Sequence, residues 1–271
     1  MKTGGVGVKK RKVALIGNGY LGSCYEKFFD DPYIYDEPKG IGSRNEVNQC
    51  YLAMIAVPTN GLPDGSLDMS IINDIVDWLE TDLILIKSAL MPGTVDWLKK
   101  KYPQKRICVS VEMLGEGNYF IPFWKYPSPT DPITHNFLII GGEKLDADAC
   151  AGMLWNKMSP DINIHLVSAI EAEITKLWEN FWGALKVTMA NEIYEICQRY
   201  GASYINVLQA WGADGRTEKM HCRVIEGKRG WKSKCYDKDI PALLKTGMNV
   251  GYESKLIKQV IETNDYHLKQ N

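Results

Sequence analysis

Short apolar runs alternate with amphipathic stretches through the first two thirds of the chain. The apolar runs predict strands near 13–17, 33–36, 52–57, 83–87, 106–111, 136–141 and 162–167. Runs without polar alternation are typical of strands that are buried on both faces of a parallel sheet. Periodic stretches between them predict helices through Phe28 and Phe29 and over 69–80, 93–101 and 143–158. The alternation predicts an α/β fold with a doubly wound parallel sheet.

The pattern changes after the last predicted strand. Between Ser168 and about Tyr200 there is no proline and a single glycine, which predicts one long helix with Ser168 and Glu171 as its capping box. Shorter helices are predicted over 203–211 and 239–247, and the last ten residues are expected to be frayed. We therefore expect a sheet domain over 1–167 and an α-helical domain with a long central helix over 168–271.

Composition excludes several classes of protein. The 271 residues are 45% hydrophobic and 24% charged, with a formal net charge of −1, so no long-range attraction to nucleic acid or to an acidic membrane surface is expected. No apolar run has the length of a membrane span, and none near the start is typical of a signal peptide. Seven cysteines without CxxC spacing indicate reduced thiols in a cytoplasmic protein, and no metal site is predicted.

A glycine-rich turn follows the first predicted strand. The run Gly17-Asn18-Gly19-Tyr20-Leu21-Gly22 has GxGxxG spacing and opens a predicted helix, the context that makes this motif informative. Gly17 allows the tight turn, Gly19 lets the backbone approach a pyrophosphate, and Gly22 lets the helix pack against the strand. Asp36, 19 positions after Gly17, suits the ribose hydroxyls and repels a 2′-phosphate. These residues predict an NAD-binding, Rossmann-type domain.

Polar residues in the second half are candidates for chemistry. Lys176 and Asn180 lie four residues apart, so they share one face of the long helix. Nearby lysines would favour the thiolate form of Cys235. Each residue also has an ordinary explanation: the first two as solvated surface, Glu112 as a loop carboxylate, and Cys235 as a packing residue, although polar neighbours argue against its deep burial.

Taken together, these stretches resemble the nucleotide-sugar 6-dehydrogenase family, whose best-known members are the UDP-glucose and GDP-mannose dehydrogenases. The resemblance keeps the family's order across roughly residues 12–245. The matching motifs are Ile16–Gly22, Val57-Pro58-Thr59 (VPT in the family), Lys87–Thr94 (KSTVxxGT), Glu112–Gly117 (EFLREG), Ala172–Asn180 with Asn191-Glu192 (the central helix), Gly201-Ala202 with Gly212–Arg216 (GAD…GxDxR) and Cys235–Asp239 (CFxKD).

The resemblance implies a reaction and its catalytic residues. A sugar CH₂OH would be oxidised twice, to a carboxylate, with two NAD⁺ reduced. Cys235 would add to the aldehyde, and oxidation of the thiohemiacetal would leave a thioester. Asp239 and Lys176 would manage protons, and Lys176 would also stabilise negative charge on the substrate oxygen. Asn180 would hold that oxygen or a water, and Glu112 would aid hydrolysis of the thioester.

The resemblance also implies the cofactor contacts. The predicted cofactor-binding residues are Gly17, Gly19, Tyr20, Leu21, Gly22, Asp36, Val57, Pro58, Thr59, Ser88, Glu116 and Lys238. Glu116 would lie near the nicotinamide end, and Lys238 would approach the cofactor or the anionic part of the substrate. The partner is then a small sugar or nucleotide-sugar molecule.

The chain departs from the family in three respects. The family continues into a third domain that grips the nucleotide, and a chain that stops at Asn271 is expected to lack it. The family's approach to the cysteine, GFGGSCF, is here Gly230-Trp231-Lys232-Ser233-Lys234-Cys235-Tyr236, which keeps one glycine and adds two positive charges. The Thr of KSTV is Ala89.

Three functions therefore stay open. The first is an NAD-dependent dehydrogenase of the same chemistry, with a substrate that is smaller than a nucleotide sugar or is anionic and held by Lys228, Arg229, Lys232 and Lys234. The second is a two-electron 3-hydroxyacid or sugar dehydrogenase that uses Lys176 and Asn180. The third is a non-catalytic NAD-binding remnant.

The long helix also bears on assembly. Its apolar residues include Leu177, Trp178, Phe181, Trp182, Leu185, Val187 and Met189. They pack either against the chain's own domains or, in part, against a second copy. We expect a homodimer with a two-fold interface, as in the resembling family.

Overall fold

A computed structural model describes residues 13–115 and 131–271. These residues form two compact units, each with its own hydrophobic core. The first unit takes the described residues within 1–59, 69–88 and 93–173, and the second takes 60–68, 89–92 and 174–271. The predicted α/β class with a long central helix is confirmed.

Seven strands form one sheet in the described part of the first unit. They are β1 (Val13–Ile16), β2 (Tyr33–Tyr35), β3 (Leu52–Ile55), β4 (Leu83–Ile86), β5 (Ile107–Val109), β6 (Phe137–Gly141) and β7 (Asn163–Val167). Their order in the sheet is β2-β1-β3-β4-β5-β6-β7. Every side chain of β1, β3 and β4 is buried, which explains their unbroken apolar sequences.

Strands β1 to β5 pair in parallel, so their carboxyl ends share one edge of the sheet. The chain passes from β1 to β2 on one side and then returns to β3 on the other side of β1. In an open parallel sheet, ligands bind at the carboxyl edge where the direction reverses in this way. We therefore expect the cofactor-binding residues at this edge of the first unit.

Five helices cover this sheet in the described residues: α1 (Tyr20–Glu26), α2 (Arg44–Val47), α3 (Ser70–Trp78), α4 (Thr94–Lys101) and α5 (Lys144–Leu154). The long helix α6 (Ala169–Tyr200) begins in the first unit and continues through the second. Its predicted capping box is confirmed, because the Ser168 N–H and the Glu171 N–H each bond to the other residue's side chain, at 2.7 and 3.3 Å.

The second unit contains the rest of α6 with α7 (Tyr204–Trp211), α8 (Tyr236–Asn249) and α9 (Lys255–Leu268). Its core includes Phe181, Trp231, Ile240 and Val260. The side chain of Ser233 accepts from the Tyr236 N–H at 3.0 Å. This contact explains why α8 begins three residues earlier than the sequence predicts.

Three expectations were wrong. The last ten residues are not frayed, because α9 runs to Leu268 and its polar residues Asn264 and His267 are buried. The helix predicted through Phe28 and Phe29 ends at Glu26, and Phe28 packs in the core from the following turn. The sheet is not parallel throughout, because β6 runs antiparallel to β5. Antiparallel neighbours need no crossover helix between them.

Candidate active site

The glycine turn after β1 is held from two sides. Gly17 has a φ of +91°, and a Cβ there would lie 2.4 Å from the Ala56 carbonyl oxygen. A Cβ on Gly22 would lie 1.9 Å from the Gly17 carbonyl oxygen. A Cβ on Gly19, by contrast, would meet nothing within 4 Å. The fold therefore requires the outer two glycines, whereas the backbone at Gly19 faces open space.

Asp36 lies directly against this turn. Its Oδ2 accepts from the Asn18 N–H at 2.8 Å, and its Oδ1 accepts from the Lys39 N–H at 3.2 Å. The Lys39 ammonium is 3.5 Å from the same carboxylate and also donates to the Asn18 carbonyl. The acid that follows β2 is thus fixed beside the glycine turn that follows β1.

The ends of β3 and β4 are joined by one side chain. The Val57 N–H donates to the Ser88 hydroxyl at 3.0 Å, and that hydroxyl donates to the Val57 carbonyl at 2.7 Å. Pro58 and the buried Thr59 follow in the chain. Tyr20 bonds to the Gly115 carbonyl at 2.6 Å, and Leu21 packs against the core. Glu116 lies outside the described residues.

Glu112, which follows β5, is part of a buried network in the first unit. Its Oε1 accepts from the N–H groups of Met113 and Leu114, each at 2.9 Å. Its Oε2 lies 3.1 Å from the Lys87 ammonium and accepts a hydrogen bond from Tyr25. Burial alone would raise the pKa of Glu112, but Lys87 and Tyr25 outweigh burial, so its pKa is lowered. Glu112 is therefore a stable carboxylate.

The thiol motif lies in the second unit, at the start of α8. Cys235 is exposed, and its carbonyl accepts from the Asp239 N–H at 2.9 Å, one helical turn later. The Asp239 side chain is 1% exposed. Its Oδ2 accepts from the Asn180 amide at 2.6 Å, and its Oδ1 accepts from the Lys238 ammonium at 2.6 Å. The structure thus brings together Asn180 of α6 and the start of α8.

Lys176 completes this cluster. Its side chain is 14% exposed and its ammonium lies 3.1 Å from a Glu179 carboxylate oxygen. Burial opposes the charged form, but the charges of Glu179, Asp239 and Cys235 outweigh burial and raise the pKa of Lys176. The cluster therefore combines an ammonium group, a buried carboxyl group and an exposed cysteine, which can stabilise an oxyanion and supply a nucleophile.

The basic residues before Cys235 do not act as one group. Lys228, Lys232 and Lys234 are exposed. Arg229 is only 7% exposed, and its guanidinium lies 2.8 Å from a Glu195 carboxylate oxygen. The same guanidinium bonds to the side chain and the carbonyl of Asn191. The hypothesis that Arg229 holds an anionic substrate is therefore wrong, because its charge is used inside the fold.

Sequence reasoning missed several partners of the predicted residues. Lys87 stood in the KSTV-like motif and could have been found there, as the buried partner of Glu112. Glu179 lies within the matched helix motif and could have been found as an acid three residues after Lys176. Tyr25 carries no signal in the sequence, because its contact with Glu112 spans 87 residues of chain.

The second unit is similar to a known protein family. Residues 170–266 match the family model described as "UDP-glucose/GDP-mannose dehydrogenase family, central domain". This range contains the four residues Lys176, Asn180, Cys235 and Asp239, which we call the thiol cluster. The chain is similar to the UDP-glucose/GDP-mannose dehydrogenase family. The resemblance inferred from the motifs is thereby confirmed.

Curated relatives of this family match most of the chain. UDP-glucose 6-dehydrogenase AglM of Haloferax volcanii is 23% identical over 256 residues, which are 86% of this chain and 56% of that protein. UDP-glucose 6-dehydrogenase TuaD of Bacillus subtilis is 36% identical over 107 residues, which are 40% of this chain and 22% of that protein. The chain spans about half the length of the first curated relatives that it matches.

Solved structures show the same fold. A UDP-glucose dehydrogenase from Pyrobaculum islandicum has a TM-score of 0.78 at 21% identity and covers 96% of this chain, which spans 69% of it. A 3-hydroxyisobutyrate dehydrogenase from Mycobacterium tuberculosis has a TM-score of 0.69 at 11% identity and covers 94% of this chain, which spans 93% of it. At these identities the likeness shows the fold alone.

Residues 13–115 and 131–271 contain neither a candidate membrane span nor a candidate metal-binding cluster. Within these ranges no helix combines the length and the apolar character that a membrane span requires. The same residues contain no group of three or more His, Cys, Asp or Glu side chains that could hold a metal ion.

Proposed function

We propose that the protein is an NAD-dependent oxidoreductase that converts a sugar primary alcohol into a carboxylate through a thioester on Cys235. The observation that carries this proposal is the cluster in the second unit, where Lys176, Asn180 and Asp239 lie around the start of α8 directly after an exposed cysteine. The family relation of residues 170–266 supports the same reaction.

The cofactor proposal rests on the glycine turn. The open space over Gly19 admits a pyrophosphate against the backbone, and Asp36 is fixed beside the turn where a ribose would bind. A 2′-phosphate there would meet the Asp36 carboxylate, so NAD is preferred to NADP. The cofactor would also contact the residues that follow β3 and β4 at the same edge of the sheet, which are Val57, Pro58, Thr59 and Ser88. Bound NAD⁺ would accept a hydride in each of two oxidations.

The overall reaction balances as R–CH₂OH + 2 NAD⁺ + H₂O → R–COO⁻ + 2 NADH + 3 H⁺. The Lys176 ammonium would stabilise negative charge on the substrate oxygen, since its neighbours keep it protonated. Asn180 would fix the Asp239 carboxylate, which would take up and return the protons released at oxygen. The Cys235 thiolate would attack the aldehyde carbon and hold the acyl group until water displaces it.

Two further residues have proposed roles outside that cluster. Glu112 would orient the water that hydrolyses the thioester, because a carboxylate with a lowered pKa is a weak base but a good hydrogen-bond acceptor. Lys238 would neutralise an anionic part of the substrate or cofactor in exchange for its present bond to Asp239.

The test measures how many NADH molecules form for each carboxylate produced. The protein is incubated with NAD⁺ and a panel of nucleotide sugars and free sugars, and NADH and carboxylate are both measured. We expect two NADH for each carboxylate, and no carboxylate from Cys235→Ser. Cys24→Ser is the matched control, because that thiol is partly buried and lies in the first unit.

The same experiment separates the alternatives. If Cys235→Ser still forms the carboxylate at the full rate, the thioester is wrong. One NADH per product, unaffected by Cys235→Ser and abolished by Lys176→Ala, would indicate the two-electron dehydrogenase that uses Lys176. Binding of NAD⁺ without reduction across the whole panel would indicate a non-catalytic protein.

We also propose that the chain forms a homodimer through α6. Apolar side chains with intervals of three, four or seven residues form an exposed stripe along this helix. The stripe consists of Ile170, Ile174, Trp178, Trp182, Met189, Ile193, Ile196 and Tyr200. Its length and its aromatic content are typical of an interface rather than of a solvated helix. A soluble, cytoplasmic enzyme would not leave such a stripe uncovered.

Light scattering coupled to size-exclusion chromatography tests the dimer. We expect about twice the 30.6 kDa of one chain, and the mass of one chain for Trp178→Lys. Trp97→Lys, which alters an exposed tryptophan of the first unit, is the control and should not change the mass. A monomer for the unaltered chain would overturn the proposal.

A further inference from the structure

The segment that leads to Cys235 is held by side-chain amides. We propose that Asn264 of α9 is a positioning residue for Cys235, because it fixes the backbone from which the nucleophile loop starts. The inference rests on the proposed role of Cys235. It adds a residue of the last helix that acts on the thiol through the loop 232–234.

The Asn264 side chain forms two hydrogen bonds with the backbone of one residue, an arrangement that we call a bracket. Its Oδ1 accepts from the Trp231 N–H at 2.7 Å, and its Nδ2 donates to the Trp231 carbonyl at 3.0 Å. A neighbouring strand would offer the same two groups, so the amide replaces a strand for this single residue. Asn264 is 1% exposed, and both polar groups of its side chain form hydrogen bonds with the loop.

A second bracket holds the residue two positions earlier. Asn271 accepts from the Arg229 N–H at 2.6 Å and donates to the Arg229 carbonyl at 3.1 Å. The side chains of this segment reach the other way, to α6: Trp231 donates from Nε1 to the Thr188 hydroxyl at 3.1 Å, and Arg229 pairs with Glu195. The segment 229–231 is thus fixed between α6 on one side and Asn264 and Asn271 on the other.

The remaining path from Trp231 to the thiol is short and ordered. Ser233 donates from its N–H to the Asp237 carboxylate at 3.2 Å and accepts from the Tyr236 N–H at 3.0 Å. The Trp231 ring also packs edge-on against the Tyr236 ring, with 6.1 Å between centroids. A displacement of the Trp231 backbone would therefore pass through three residues to the start of α8, where Cys235 and Asp239 lie.

Gly230 shows how closely α9 approaches. It has a φ of +74°, and a Cβ there would lie 2.7 Å from the Asn264 Oδ1. The bulky and charged residues that follow it, Trp231 and Lys232, cannot form a tight glycine turn of their own. The two hydrogen bonds from Asn264 therefore fix a loop whose own residues do not form such a turn.

The experiment uses the full chain with three substitutions. Asn264→Ala removes the bracket, and Asn264→Asp keeps the acceptor for the Trp231 N–H but removes the donor. Gln259→Ala is the matched control, because Gln259 is an exposed amide side chain on the same helix. Three quantities are measured: amide hydrogen exchange of 229–235, the pH profile of Cys235 alkylation by iodoacetamide, and kcat and KM.

We expect Asn264→Ala to speed exchange of the Trp231 amide by about tenfold or more. The midpoint of the alkylation profile should move by about half a pH unit, because the thiol shifts relative to Lys176. A misplaced nucleophile lowers kcat on the order of tenfold to a hundredfold, while KM stays within about threefold. Asn264→Asp should be intermediate and remain testable if the alanine variant fails to fold. Gln259→Ala should change nothing.

Two results would overturn the inference. One is faster exchange at Trp231 with an unchanged alkylation midpoint and an unchanged kcat, which would make the bracket merely structural. The other is unchanged exchange, which would mean that the bracket does not hold the loop. If the unaltered protein oxidises no substrate, the proposed function fails separately, and the exchange and alkylation measurements still decide whether Asn264 positions Cys235.

Discussion

The glycine turn after β1 and the loop before Cys235 both bring backbone atoms close to neighbouring groups. The turn does so by omitting side chains, and the loop does so through hydrogen bonds from another helix. At the turn, Gly17 and Gly22 omit side chains that would collide with backbone carbonyls, and Gly19 leaves open space. At the loop, only Gly230 is a glycine, and Asn264 holds the backbone from outside.

The two segments are therefore sensitive to different substitutions. The glycines of the turn have no side-chain contact to lose, so this segment fails when a methyl group is added. A bracketed loop fails when a hydrogen-bond partner is removed, because a buried amide or carbonyl is then left unsatisfied. The first segment leaves room for a ligand, and the second fixes a reactive side chain. The following predictions test this contrast, in order of decreasing effect.

The largest effect is expected at the glycine turn. Gly22→Ala places a Cβ 1.9 Å from the Gly17 carbonyl oxygen, so the backbone must shift. We expect it to lower the free energy of unfolding by about 3 kcal/mol and to abolish NAD⁺ binding. Denaturant unfolding and calorimetric titration with NAD⁺ measure the two effects.

Gly19→Ala is the matched control for that change. Its Cβ meets nothing within 4 Å, and its φ of −84° suits alanine. It should unfold like the unaltered protein while binding NAD⁺ at least about tenfold more weakly. Unchanged NAD⁺ affinity in this variant would mean that the pyrophosphate does not approach Gly19.

The next effect is expected at the bracketed loop. Gly230→Ala puts a side chain on a residue with a φ of +74° and pushes against Asn264. The conformation alone costs about 1–2 kcal/mol, which a shift in the denaturation midpoint would measure. The variant should also share the altered alkylation profile of Asn264→Ala. A stability loss with an unaltered profile would separate the glycine from the bracket.

A smaller effect is expected beside the turn. Asp36→Asn keeps an oxygen for the Asn18 N–H but removes the charge that would repel a 2′-phosphate. We expect the ratio of NADP to NAD affinity to rise about tenfold, because Lys39 then faces the phosphate without its acidic partner. Lys39→Ala alone should not raise that ratio. A ratio that is equal in Asp36→Asn and the unaltered protein would contradict the assignment of Asp36 to the ribose.

The smallest effect per step, here per pH unit, concerns a third bracket, which uses a carboxylate. Glu173 accepts from the N–H groups of Gly93 and Val95, at 2.6 and 3.0 Å. Burial raises its pKa to about 7, and the two hydrogen bonds offset this only in part. Between the unfolded value of 4.5 and about 7, the folded protein keeps a proton that the unfolded chain releases. The stability that Glu173 contributes is therefore complete below pH 4.5 and is lost as the pH rises towards 7.

Glu173→Gln should remove this dependence. For the unaltered protein, the part of the free energy of unfolding that Glu173 contributes falls on the order of 1 kcal/mol per pH unit in that window. The variant should show a flatter profile in denaturant unfolding at pH 5, 6 and 7. Glu171→Gln is the control, because that carboxylate is exposed and bonds to Ser168. Parallel profiles for Glu173→Gln and the unaltered protein would contradict the assignment.

Local sequence patterns predicted what depends on local structure. Continuous apolar runs predicted β1, β3 and β4 because burial on both faces leaves no polar position. Ser168 and Glu171 predicted the start of α6 because a capping box uses neighbouring residues. The thiol cluster was predicted through motifs, whose spacing follows from the family's chemistry.

Long-range polar contacts could not be predicted in the same way. The last ten residues were expected to be frayed, whereas Asn264 among them binds a loop 33 residues earlier in the chain. Arg229 had the charge of a surface anion site, but its partners Glu195 and Asn191 lie 34 and 38 residues away. Neither distance leaves a periodic signal, because the pairing depends on how α6 and α9 pack.

The exposure of Cys235 has a practical consequence. Five of the other six cysteines are buried and Cys24 is partly so, which leaves one thiol open to a bulky reagent in the native protein. A maleimide dye or a nitroxide spin label would therefore attach at a single natural position, without prior removal of the remaining thiols. Spectroscopy on such a conjugate would follow the loop at the start of α8 in real time, and electrophilic fragments could be screened against the same atom by intact-protein mass.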